Sequence, residues 1–272
     1  MAIITLLSDW GDKDYYTASV KGAILKSLPD AVIVDITHNV PHFDINYASF
    51  ILKNVWENFP EGTIHMINVL SEENDENLHV AVYYKGHYFI GADNGIFSLL
   101  FAEPPQDIVS LDIYYTNPDA TTFPERDRFV PAAVMLAQGK PLSELGTPKE
   151  GLKQITPFLP AANKTRIQGL VVYIDAYDNC ITNITKTLFN KVIGSKPFEI
   201  SIKKNSEKRI VNSFFEVPES ELVCYFNSNG YLEIALNRAK ASQLLNININ
   251  DTVTVAVVEK EEDDNPLLSL DF

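Results

Sequence analysis

The chain has 272 residues, with 22 Lys and Arg against 36 Asp and Glu, for a formal net charge of −14 at pH 7. Hydrophobic residues make up 46% and charged residues 21%, the balance of a globular protein, and no apolar run approaches the ~18 residues of a spanning helix, so disordered and membrane classes are excluded. A chain of this length buries roughly 70–75% of its unfolded surface, enough for one large core or two smaller ones without disulfides or metals.

The acidic balance has no Lys/Arg stripe, which argues against a nucleic-acid partner and suits a neutral or cationic small ligand. Met1 to Asp9 carries no basic segment ahead of a long apolar run, so no secretory leader is expected and a cytoplasmic location is. Cys180 and Cys224 lie far apart without Cys/His ligand spacing, so free buried thiols are expected.

In chain order, residues 3–7 read as a buried strand running into the turn Ser8-Asp9-Trp10-Gly11-Asp12. A helix follows over 15–27, stopped by Pro29-Asp30, and then a second β-branched strand over 31–36, which together make a βαβ unit. A helix is predicted over 45–58, a strand over 63–69 and a hairpin of 79–84 with 87–91 around Lys85-Gly86. Alternating strands and helices predict an α/β N-terminal domain with a mostly parallel sheet. A helix over 126–138 closes it, with Pro131 near its start. Pro148, Pro157 and Pro160 then interrupt any regular pattern, and the boundary is placed between residues 155 and 156. The short β-like segments 169–174, 198–202, 222–226, 231–235 and 252–258 predict an all-β C-terminal domain, a barrel or sandwich. The acidic residues 259–272 read as a solvated terminus.

Ligands of open α/β sheets lie outside the carboxyl ends of the strands, which singles out Asp9. A carboxylate there can accept both hydroxyls of a ribose, or it can cap the following helix. The segment 175–183 holds Asp175, Tyr177, Asn179, Thr182 and Asn183; it can read a base or an amino-acid group, or simply be a turn. Asn227-Ser228-Asn229-Gly230 has the spelling of a tight hairpin, and Asp93-Asn94-Gly95 that of a turn. His38 and His42 have no third ligand nearby, so no metal site is expected.

Taken in order, these segments resemble the S-adenosylmethionine (SAM) hydroxide adenosyltransferase family, which includes the fluorinases and chlorinases. The likeness is carried by Ser8-Asp9-Trp10-Gly11 with Tyr15 and Lys21-Gly22, Asp35-Ile36-Thr37-His38 with Asp44, and residues 59–65. It continues through Asp93-Asn94-Gly95, Arg126-Asp127-Arg128-Phe129-Val130-Pro131, Asp175 to Ile184 and Asn227 to Ala235. The resemblance implies a β-barrel-like second domain and a homotrimer with sites between one subunit's N-terminal domain and its neighbour's C-terminal domain. It implies SAM or adenosine as substrate or ligand, with no further cofactor. In such a site Asp9 would hold the ribose diol and Phe43 would pack on the ligand, while Asn94, Asp175, Tyr177, Asn179 and Ser228 would belong to the ligand-binding set.

The family's hydrolases share an Asp-Arg-His set, and this chain departs from it at each member: Leu70 stands for Asp, Asn77 for Arg, and Pro124-Glu125 for His-Gly. Expelling neutral methionine from a sulfonium needs no acid, but the attacking water must be positioned and activated. The altered loops offer Glu72, Glu73, Asp75, Glu76 and Glu125 as replacement bases, or as solvated carboxylates. Three readings follow. One is SAM cleavage to adenosine and methionine, or adenosyl transfer to another nucleophile; a second is a catalytically silent SAM or adenosine binder. A third is a pocket turned to another ligand, since Ala176-Tyr177-Asp178 differs from the family's Arg-Phe-Gly. Carboxylate-rich loops repel halide, which argues against halogenation.

Overall fold

The computed structural model describes residues 1–113 and 122–258; the acidic segment 259–272 lies outside the described residues. The chain divides into two compact units, Met1–Pro157 and Phe158–Phe272.

The first unit contains β1 (Ile3–Ser8), α1 (Tyr16–Ser27), β2 (Val32–Thr37), α2 (Ile45–Lys53), β3 (Ile64–Asn68), β4 (His79–Tyr84), β5 (His87–Ala92), α3 (Ile96–Leu100), β6 (Asp107–Leu111), α4 (Val130–Ala137) and β7 (Gly146–Pro148). Its strands form a sheet in the order β2-β1-β3-β5-β4-β6-β7. Side chains alternate across a strand, and both faces are covered. Ile4 and Leu6 of β1 join a core with Val20 and Ile24 of α1 and Leu136 of α4, while Leu7 joins one with Ala48 and Leu52 of α2 and Phe97 of α3. That is why β1 is apolar on both faces.

The sheet is mixed, not mostly parallel. The pairings β2-β1, β1-β3 and β3-β5 are parallel, whereas β5-β4, β4-β6 and β6-β7 are antiparallel. The β5-β4 reversal follows from the tight turn between them, where Lys85 (φ 46°) and Gly86 (φ 83°) both take left-handed conformations and reverse the chain within two residues. The predicted helix over 45–58 is also shorter. Asp44 caps α2 by accepting from the Tyr47 amide, but Asn54 Nδ2 donates to the Phe50 carbonyl, and the chain leaves the helix for a short 3₁₀ turn at Trp56–Asn58. The helix predicted over 126–138 begins as a π-helical turn, Glu125–Phe129, and continues as α4.

The second unit contains β8 (Ala161–Ala162), β9 (Arg166–Ile174), β10 (Cys180–Thr185), α5 (Lys186–Val192), β11 (Phe198–Ile202), β12 (Asn205–Glu207), β13 (Leu222–Phe226), β14 (Tyr231–Leu236), α6 (Ala241–Leu244) and β15 (Thr252–Val257). The sheet order is β12-β11-β15-β9-β10-β14-β13 with β8 on β9, and every pairing is antiparallel. Ile167, Val171, Ile184, Ile200, Ile234 and Val255 build its core. Both cysteines are free and buried, and burial pushes each thiol up to about 12, which leaves them unreactive near neutrality. Among the described residues no helix is long and apolar enough to cross a membrane, and no group of three or more His, Cys, Asp or Glu is placed to hold a metal ion.

One buried histidine gives the first unit a pH-dependent stability. His65 of β3 lies 2.8 Å from Thr5 Oγ1 and 3.2 Å from His87, and burial together with His87 lowers its pKa from 6.5 to about 3. Below pH 6.5 the unfolded chain binds a proton that the folded chain refuses, so stability falls as pH falls. Urea titrations between pH 7 and pH 5 are expected to show a loss of about 2 kcal/mol from this residue, and His65→Gln to flatten the slope by that amount.

Candidate functional site

The strand register brings several polar groups to one edge of the mixed sheet. Ser8 of β1 pairs level with Asn68 of β3, and Ala92 of β5 with His79 of β4, so the segments that follow Ser8, Asn68 and Ala92 leave the sheet side by side. They carry Asp9, Ser71, Asp93 and Asn94, all of them buried.

Asp9 is held by a frame of sequence-distant residues. Lys21 of α1 pairs with Asp35 of β2 at 2.5 Å, Asp35 Oδ1 lies 3.1 Å from His38 Nε2, and His38 Nδ1 lies 2.7 Å from Ser8 Oγ. Burial pushes the Asp35 carboxyl up, but the Lys21 hydrogen bond and the nearby His38 ring outweigh it and hold the pKa below the ordinary value. The Trp10 ring stacks on His38, and the Gly11 amide donates to the His38 carbonyl at 2.7 Å. Asp9 caps no helix: Tyr15 stands at the N-cap of α1 without a side-chain cap, and Asp9 Oδ2 instead accepts from the Phe43 amide at 2.9 Å. Phe43 takes a left-handed conformation (φ 66°) and leaves its ring 69% exposed, free to cover a ligand.

The Asp93-Asn94-Gly95 turn braces this edge. Asn94 Nδ2 donates to the carbonyls of Val69 (3.2 Å) and Leu70 (3.0 Å), and its Oδ1 accepts from the Ile96 amide at 3.1 Å. Asp93 takes the Lys153 amide at 2.8 Å and the Lys149 ammonium at 3.1 Å. Gly95 sits at φ +103°, and a Cβ there would lie 2.1 Å from Ile155 Cδ1. The side-chain amide of Asn94 is thus spent on shaping the loop after β3.

That loop holds Leu70 and Asn77. Leu70 adopts φ 50°, and Asn77 Oδ1 accepts from Lys153 Nζ at 2.8 Å. Glu72, Asp75 and Glu76 are exposed, whereas Glu73 bonds Arg128 Nη1 at 2.5 Å and lies 3.7 Å from His79 Nδ1. His79 is fully buried, and its Nε2 donates to the Ser71 carbonyl at 2.8 Å. Burial lowers its pKa, so the neutral ring offers Nδ1 to Arg128 Nη1 at 3.3 Å. Pro124 is buried and opens the π-helical turn that carries Glu125. Glu125 is itself buried, and burial raises its pKa, with the charges of Asp9 and Asp127 adding to the rise.

The other predicted residues line a cleft of about 1100 Å³ inside the second unit, where Asp175, Tyr177, Asn179 and Ser228 come together. Asp175 Oδ1 accepts from the amides of Tyr177 (2.9 Å) and Asn179 (2.8 Å), and its Oδ2 from Asn179 Nδ2 at 3.1 Å. The Tyr177 ring is 79% exposed, available for stacking. Sequence reasoning passed over Glu233 as a site residue, although a glutamate inside the apolar run Leu232-Glu233-Ile234-Ala235 was a signal. It is buried against the cleft, accepts from the Tyr225 hydroxyl and from Asn227 Nδ2 (3.0 Å), and with burial raises the tyrosine's pKa.

Fold and site together define a two-unit protein with carboxylates gathered at a mixed-sheet edge and a polar, aromatic cleft in an antiparallel β unit. The family model described as SAM hydroxide adenosyltransferase N-terminal domain matches residues 4–146, and the corresponding C-terminal domain model matches residues 169–254. The chain belongs to the SAM hydroxide adenosyltransferase family. It is 32% identical to a Thermus thermophilus (R)-S-adenosyl-L-methionine hydrolase over 91% of this chain and 96% of the relative. A hydrolase of the same description from Methanocaldococcus jannaschii is 29% identical over 93% and 95%, and a fluorinase from an Actinoplanes species 24% identical over 93% and 97%. Among solved structures, a conserved protein of Thermotoga maritima superposes with a TM-score of 0.84 at 27% identity, covering 94% of this chain and 100% of that one.

The bracing role of the Asp93-Asn94-Gly95 turn is testable. Gly95→Ala must both strain φ and displace Ile155, and is expected to lower unfolding stability by about 2–4 kcal/mol in denaturant titrations. An unchanged midpoint would show that the 149–155 segment does not hold the edge.

Proposed function

We propose that this chain binds SAM and cleaves it to adenosine and methionine, with water as the acceptor of the adenosyl group. What supports the reading is that residues the resemblance implicates in binding are placed together in a chain whose relatives include SAM hydrolases: Asp9 with the Phe43 ring in the first unit, and Asp175, Tyr177, Asn179 and Ser228 in one cleft of the second. Among the described residues the Phe43 amide is the sole donor to the Asp9 carboxylate, which leaves Oδ1 to a ribose hydroxyl. A homotrimer, with ligand sites formed between subunits, belongs to the same reading.

Water suits this site better than halide does. Burial pushes Glu125 up and the charges of Asp9 and Asp127 add to the rise; carboxylates gathered at this sheet edge repel an anion and favour a sulfonium. A second reading, a silent binder of SAM or adenosine, is favoured by the replacement of the family's catalytic set at Leu70, Asn77 and Pro124.

Ligand-free protein incubated with SAM is expected to release adenosine and methionine in a chromatographic time course. Asp9→Ala should lower kcat/KM about 30-fold, the equivalent of roughly 2 kcal/mol for a charge-assisted hydrogen bond. Intact SAM beside a calorimetric binding signal would establish the silent binder; intact SAM without binding would sink both readings.

A further inference from the structure

We propose that Glu125, buried in the π-helical turn beside Asp9, accepts the proton of the attacking water and so takes the place of the family's missing catalytic set. The inference rests on the adenosyl-transfer reading above and names the group that would activate its nucleophile.

The turn is anchored at both ends. Phe123, two residues before Glu125, meets Trp10 edge-on at 5.9 Å and Tyr16 at 5.3 Å, which ties the start of the turn to the segment that carries Asp9. Phe129, at its other end, meets His79 at 4.8 Å. Between them Arg128 bonds Glu73 and the Leu111 carbonyl. A π-turn carries one more residue per turn than an α-helix and re-aims side chains, and such turns concentrate at functional sites.

The two arginines that flank Glu125 are turned to other partners. Arg126 makes two 2.7 Å hydrogen bonds to Asp127 and lies over the Phe123 ring at 5.0 Å, while Arg128 is held by Glu73, His79 and Leu111. The titratable groups that act on Glu125 or feel its charge are Asp9 from the β1 turn, Asp127 on its own turn and Tyr16 from α1. The Ser71 hydroxyl, from the loop after β3, is close enough to favour the glutamate's charge, yet it is buried and completes no well-formed hydrogen bond. Asn68 Oδ1, at the end of the same strand, is also buried without a partner among the described residues. Buried polar groups of this kind call for a polar occupant.

The chemistry balances without a further reagent. A water oxygen forms the bond to C5′ of the ribose as the C5′–S bond breaks, its electron pair passes to sulfur, and methionine leaves as a neutral thioether. The proton given up by the water goes to the Glu125 carboxylate and from there to solvent. C5′ belongs to the same sugar whose diol Asp9 would hold, so a carboxylate beside Asp9 is in the right neighbourhood. Burial and like-charged neighbours make Glu125 a stronger base than a solvated glutamate, and a positioned base is worth ~10²–10⁴-fold.

The test uses the full chain, with kcat and KM for SAM measured from pH 4.5 to 9 in wild type, Glu125→Gln and Glu125→Asp, adenosine affinity by calorimetry and melting temperature as a check on folding. Wild-type kcat is expected to fall on the acid side with an apparent pKa above the ordinary 4.5 of glutamate. Glu125→Gln should lower kcat at least 100-fold and abolish that limb, with KM and adenosine affinity within about threefold, and Glu125→Asp should restore part of the rate. A Glu125→Gln protein that keeps its kcat and its acid limb would overturn the assignment while leaving the SAM-cleaving reading intact. A wild type that binds adenosine but cleaves no SAM at any pH would overturn both.

Discussion

Carboxylates crowded at the end of a sheet repel one another, and the fold keeps them together by building rigid supports around each. Asp9 stands at the end of a chain of contacts that runs from Lys21 through Asp35 and His38 to Ser8, and so links α1, β2 and β1. Glu125 stands on a turn pinned by Phe123 and Phe129. Neither placement is made by neighbours in sequence. Both depend on the level ends of β1 and β3, because a one-residue slip in that register would turn Ser8 and Asn68 to opposite faces.

This arrangement explains why residues that look like ligand contacts and residues that brace them occur in the same short motifs. Asp93, Asn94 and Gly95 spend their side chains and backbone on the 149–155 segment and on the loop after β3. His79, Glu73 and Arg128 likewise hold that loop against the π-turn. Among the described residues, the Ser71 hydroxyl and the Asn68 side-chain carbonyl at this edge are buried without a partner, and the second oxygen of Asp9 accepts no hydrogen bond.

Much of this was legible in the sequence, for identifiable reasons. Apolar runs with β-branched residues located β1, β2, β3 and the β4–β5 hairpin, because such runs have few alternatives to burial in a sheet. The β4–β5 reversal was legible in the Lys85-Gly86 turn, but the insertion of β5 between β3 and β4 and the antiparallel pairing of β6 and β7 are tertiary choices. Asp9 could be read as a ligand contact or as a helix cap, and its bond to the Phe43 amide decides against the cap. Glu125 and the Glu72–Glu76 loop looked equivalent as replacement bases. Burial separates them, since Glu72, Asp75 and Glu76 face solvent, Glu73 is paired to Arg128, and Glu125 is enclosed. Glu233 was overlooked because a lone glutamate in a strand is ordinarily a solvent-facing position, and its partner Tyr225 lies on the adjacent strand.

The proposed reading, in which Asp9 of one subunit and the Asp175–Asn179 cleft of a neighbouring subunit serve one adenosine-bearing ligand, is tested most directly by a crystal structure of the protein grown with adenosine. The account predicts the ribose diol on the Asp9 carboxylate beneath the Phe43 ring, the Glu125 carboxyl facing C5′, and Asp175, Tyr177 and Asn179 against the same molecule. Adenosine bound elsewhere, or a ribose that makes no contact with Asp9, would contradict it.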